Sequence, residues 1–101
     1  MAAIVSPAQA RRMLGGLPGW SLAPRGRAIR RQLKLQDFVS AVKFIQRLTP
    51  LAERAVHHPD LVLKNYNEVT ITLTTHDAGG LTRRDFALAR KINRLVSRLP
   101  K

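Results

Sequence analysis

Cysteine is absent from the 101-residue chain, which excludes disulfides, thiolate metal ligands and thiol nucleophiles. Acidic residues are scarce. Six Asp and Glu stand against 18 Lys and Arg, for a formal net charge of +12. Aromatics make up 5% of the chain, too few for the stacking platforms that hold single-stranded nucleic acid. No apolar run approaches the ~20 residues of a membrane-spanning helix. The stretch from Met1 to Trp20 lacks the basic-then-apolar order of a secretory signal. The expected setting is cytoplasmic, with no membrane partner. The basic excess raises the expectation of an anionic partner, yet charge on a surface is ordinarily solvated.

What is present suits one globular domain spanning residues 1–101, with 45% hydrophobic residues. Ser6-Pro7-Ala8-Gln9 reads as a capped helix start, and Gly15-Gly16 as a left-handed helix end. Trp20-Ser21-Leu22 reads as a short extended segment and Trp20 as a core anchor. Ile29, Leu33 and Leu35 share one strand phase, which Arg31 interrupts. From Asp37 the period lengthens: Phe38, Val42, Ile45 and Leu48 mark the inward face of an amphipathic helix. Pro50 removes one helical hydrogen bond, so a kink near Thr49 is expected, with two separate helices as the competing picture. Val69, Ile71 and Leu73 alternate with Thr70, Thr72 and Thr74 as a strand. Thr82 and Asp85 form the capping box of a last helix whose inward positions are Phe86, Ala89, Ile92, Val96 and Leu99. This order implies an α+β fold: a four-stranded antiparallel sheet with about three helices packed on one face.

The only three histidines fall in one window, His57-His58-Pro59 and then His76. Imidazole has an unperturbed pKa of ~6.5 and can both give and take a proton near neutrality. A helix end, a turn and a strand end would each deliver one ring. Glu53 stands at i,i+4 from His57, where it could orient that ring. Asp85 could serve as a helix cap or as support for the same pocket.

With Gly19-Trp20, Asp37-Phe38, Thr75-His76-Asp77, Gly79-Gly80-Leu81-Thr82 and Asp85 added, the chain resembles the pterin-4a-carbinolamine dehydratase family from about Leu14 to Val96. The resemblance implies a hydro-lyase that removes water from 4a-hydroxytetrahydropterin to give quinonoid dihydropterin, serving tetrahydrobiopterin recycling, without metal or organic cofactor. It implies that His57, His58 and His76 are the acid–base set. The pterin-contacting segments would be Val56 to His58 and Thr74 to His76, supported by Glu53, Asp60 and Asp85. It also implies a homodimer or homotetramer. Six residues separate Pro59 from Tyr66 where many members have five, so a bulge or a longer turn is expected. Pro50 stands where a helix former is usual.

Two other classes compete. One is a non-catalytic relative that keeps the fold as a binding or assembly module. The other is a basic nucleic-acid binder, suggested by Arg84, Lys91 and Arg98 at seven-residue spacing; with no recognised nucleic-acid motif beside them, these residues read as a solvated helix face. Three histidines could also hold Zn²⁺, but no other ligand pattern supports a metal. Gly79-Gly80 lacks the lysine of a phosphate loop and reads as a turn.

Overall fold

A computed structural model describes residues 3–99. Its elements run α1 (Pro7–Leu14), β1 (Trp20–Leu22), β2 (Ile29–Lys34), α2 (Phe38–Ala55), β3 (Asp60–Lys64), β4 (Glu68–Leu73) and α3 (Arg83–Ser97), with short 3₁₀ turns at Pro24–Gly26 and His76–Ala78. The strands form one antiparallel sheet in the order β1-β2-β4-β3. Alternation decides its faces. Val69, Ile71 and Leu73 are fully buried beneath the helices, while the threonines between them are half-exposed. The α+β architecture is the one implied by the sequence. Among the described residues no helix is long and apolar enough to cross a membrane.

The helix boundaries follow local chemistry. Ser6 and Gln9 make a reciprocal capping box with Pro7 at the first helical position. The left-handed end expected at Gly15 does not form, because Gly15 stays right-handed at φ −58°. The first left-handed glycine comes later, at Gly19 with φ 86°, where a Cβ would come within 2.6 Å of the Arg31 Cζ. Arg31 explains its own interruption of β2. It lies on the inward phase, but its guanidinium donates to the Pro18 carbonyl and to Asn93 Oδ1, which also accepts from Trp20 Nε1. Burial pulls the Arg31 guanidinium below its ordinary range.

α2 is continuous through Pro50 rather than split in two. Its buried stripe is Ala41, Phe44, Leu48 and Ala52; of the expected inward face Leu48 is buried and Val42 and Ile45 are half-buried, whereas Phe38 is 54% exposed. Alanines carry little hydrophobic weight in a sequence pattern, yet they let a helix approach a sheet closely. β3 pairs with β4 from Asp60↔Thr72 to Lys64↔Glu68 without a bulge. In the connection that follows, Asn65 and Tyr66 both take positive φ. Asn67 there is buried, and it exchanges hydrogen bonds with the backbone of Leu35.

Candidate active site

The site is assembled where the C-terminal end of α2, the end of β4 and the N-terminal end of α3 meet. α2 ends in a Schellman arrangement: Val56 N–H donates to the Glu53 carbonyl and His57 N–H to that of Ala52. The left-handed residue this requires is Val56, at φ 48° and ψ 46°, a conformation that a β-branched side chain adopts only under strain. Arg84 Nη2 donates to the Val56 carbonyl at 2.6 Å. The chain therefore reverses immediately before the two histidines and sends them in different directions.

His57 turns inward. It is 7% exposed, and its Nε2 lies 2.5 Å from Oδ1 of the fully buried Asp85. The other oxygen, Oδ2, accepts from the Thr82 backbone N–H at 2.9 Å and from the Thr75 hydroxyl at 2.8 Å. With the Thr75 proton committed to Asp85, the Thr82 hydroxyl donates to Thr75 Oγ1, 2.8 Å away. Every polar neighbour of Asp85 thus points a hydrogen at it. The carboxylate fixes His57 with a proton on Nε2 and leaves Nδ1 as the acceptor.

His58 turns outward, with its Nε2 2.5 Å from Glu53 Oε2; both side chains are about two-thirds exposed. This corrects the sequence expectation that Glu53 would orient His57. The left-handed turn at Val56 breaks the helical spacing on which that pairing depends. His76 is exposed at the start of the turn after β4. Its neighbour Thr75 belongs to the Asp85 network, so His57 and His76 are tied to one buried carboxylate through a short chain of bonds. Thr75 is buried within that chain, whereas Thr74 is half-exposed and donates to the Arg27 carbonyl.

Asp60 is exposed at the start of β3 and makes no side-chain hydrogen bond or ion pair among the described residues. Asp85 fills both roles open to it, with one oxygen capping α3 and the other holding His57. Sequence reasoning passed over Arg84, which reads as one more cation of a helix stripe. It named Thr75 and Thr82 separately but not the hydrogen bond that joins them. Among the described residues no three His, Asp or Glu side chains are grouped as metal ligands. As a set, the groups supply one buried, tautomer-fixed imidazole and two exposed ones, which is equipment for proton transfer.

A profile of the family described as pterin 4 alpha carbinolamine dehydratase matches residues 3–95. A Cyanothece sp. protein provisionally named a pterin-4-alpha-carbinolamine dehydratase is 47% identical over 95 residues, covering 94% of this chain and 95% of its own. A Roseiflexus castenholzii protein with the same provisional name is 43% identical, covering 95% and 100%. Among solved structures, a Brucella melitensis protein described as a transcriptional coactivator/pterin dehydratase superposes with a TM-score of 0.85 at 33% identity, covering 92% of this chain and 98% of that one. A pterin dehydratase-like RuBisCO assembly factor of the alpha-carboxysome shares the fold, with a TM-score of 0.63 at 19% identity over 76% and 88%.

Proposed function

The chain belongs to the pterin 4 alpha carbinolamine dehydratase family, and from that premise we propose that it is a hydro-lyase acting on 4a-hydroxytetrahydropterin in the cytoplasm, in support of tetrahydrobiopterin recycling. The observation that carries this reading is the buried Asp85, bonded to His57 and, through Thr75, to the segment bearing His76.

In the reaction, the N5–H proton leaves to a base, the N5 lone pair forms the C4a=N5 double bond, and the C4a hydroxyl departs as water after taking a proton from an acid. The products are quinonoid dihydropterin and water. His57, with Nδ1 left free by the Asp85 bond, suits the base. The exposed His58 and His76 suit delivery of the proton to the leaving hydroxyl, with Glu53 steadying His58. Val56 and Thr74 flank these rings, and Thr75 holds the carboxylate that holds His57. Acid–base groups so placed are worth ~10²–10⁴-fold in rate.

The test is direct. 4a-Hydroxytetrahydropterin generated in situ should yield quinonoid dihydropterin faster in the presence of the protein than in buffer. A rate equal to that of buffer overturns the proposal.

The proposal extends to self-association as a homodimer or homotetramer. β3 is an edge strand with Leu61 and Val62 exposed, and Tyr66 lies exposed beyond it. Such an apolar edge is ready for strand pairing. A second reading, a non-catalytic assembly module, is favoured by the burial of His57. It requires that a variant with all three histidines changed to alanine keep its partner complex while the parent shows no turnover.

A further inference from the structure

Two cavities of about 450 and 490 Å³ flank α3, and no histidine lines either one. Arg47 and Arg54 of α2 face Lys91, Arg94 and Arg98 around the first. Arg31, Arg90 and the same Arg94 line the second. Seven cations thus border two adjoining hollows, and no carboxylate lines either one. The imbalance is general: among the described residues no lysine or arginine is paired with a carboxylate, and the basic side chains that touch one are His57 and His58. α3 carries a single acid, Asp85, and that one is buried under His57. A crowd of like charges without counter-ions of its own is a field that concentrates anions.

The floors narrow the choice of anion. Pro50, Leu51 and Leu95 lie among the cations of the first cavity, and Leu17, Pro18 and Val96 among those of the second. A nucleic-acid backbone would set phosphates against these apolar floors and leave them uncovered. Neither cavity has an aromatic side chain on which a base could stack. A protein segment bearing both carboxylates and aliphatic side chains satisfies rim and floor together.

We infer that the arginine-rimmed face of α3, with its two apolar-floored hollows, is a docking surface for an acidic amphipathic segment of a partner protein. The surface is separate from the histidine site, so it can be occupied while that site works. Its apolar floors anchor the partner and its cations select for negative charge.

The chain's own tryptophan reports on the test. Trp20 Nε1 bonds to Asn93, which lines the second cavity. The probe is a tryptophan-free synthetic peptide of about 18 residues, ~27 Å long as a helix, with leucines on one face and glutamates elsewhere, titrated while Trp20 emission is followed. Binding is expected to weaken as salt rises. The double variant Arg47→Glu/Arg94→Glu should lower affinity by about tenfold or more, since it places like charges across the interface. Arg11→Glu/Arg12→Glu on α1 alters net charge equally but lies outside both cavities, and should leave affinity within about twofold, the scale expected for altered long-range attraction alone. Dehydration should be unchanged in both. Equal losses in the two double variants would reduce the effect to net charge and overturn the assignment. So would undiminished binding of a peptide with glutamine in place of glutamate, or tighter binding of duplex DNA than of the acidic peptide.

Discussion

At the scale of single residues, Asp85 and the three histidines separate catalysis from stability. His57 and Asp85 are buried against each other, and leaving a buried hydrogen-bonding group without its partner costs about 1–3 kcal/mol. Asp85→Ala and His57→Ala should therefore lower both turnover and the thermal midpoint. His58 and His76 are exposed, and the contact between His58 and Glu53 is open to water, where such pairs contribute little. His58→Ala and His76→Ala should slow dehydration by about 10²-fold or more with the midpoint almost unmoved. Turnover and calorimetry on the four variants check this; a His57→Ala protein that keeps its midpoint would contradict the buried pairing.

The clustering of histidines was legible in the sequence because imidazole is rare in this chain. Their separation into one buried ring and two exposed ones was not. The partner of His57 lies 28 residues away, and a capping box accounts for Asp85 without calling on its second oxygen. Arg31 was equally opaque, because its acceptors come from the turn before β1 and from α3.

At the scale of elements, the end of α2 carries the clearest strain. A Schellman ending calls for glycine at its left-handed position, and this chain has Val56, 72% exposed and thus with little packing to lose. A left-handed non-glycine residue costs roughly 1–2 kcal/mol; part of that relief is offset because glycine also frees the unfolded chain. Val56→Gly should stabilise the protein by up to about 1 kcal/mol, read as a higher midpoint in urea with unchanged slope. A lower midpoint would mean that the valine side chain holds the site by contact.

Elements were legible where two signals agreed. The alternation of β4 and the caps of α1 and α3 predicted their structure because pattern and terminus chemistry coincide. The expected face of α2 was right at Leu48 and off centre at its start, because its inward side is partly alanine and Phe38, the largest apolar residue there, faces water. Its N-terminus was legible: Asp37 accepts from the Ser40 backbone N–H, a bond that holds its carboxyl below the ordinary value of 3.8.

At the scale of the whole molecule, two features outrun any single contact. The first is the open β3 edge. Replacing the exposed Val62 with lysine puts a charge where a second chain would pair, so sedimentation should find Val62→Lys one assembly step smaller than the parent. A parent that is itself monomeric at micromolar concentration would remove strand pairing as the mode of association.

The second feature is the net charge of +12 held within principal extents of 38 × 24 × 22 Å. At about 0.01 M salt the screening length is ~30 Å, so nearly every cation feels every other; at about 0.15 M it is ~8 Å, and only neighbours interact. Unfolding spreads the charges apart, so repulsion disfavours the compact state most at low salt. Ordinary ion pairs would offset this, yet among the described residues no lysine or arginine is paired with a carboxylate. Adding sodium chloride across that range should therefore raise the thermal midpoint, the reverse of a fold held by surface salt bridges. The Arg47→Glu/Arg94→Glu variant, with four charges fewer, should show a smaller rise. If salt instead lowered the midpoint of the parent, carboxylate–cation attraction would have to outweigh repulsion, and α3 could not be the unneutralised cationic face that the docking surface requires.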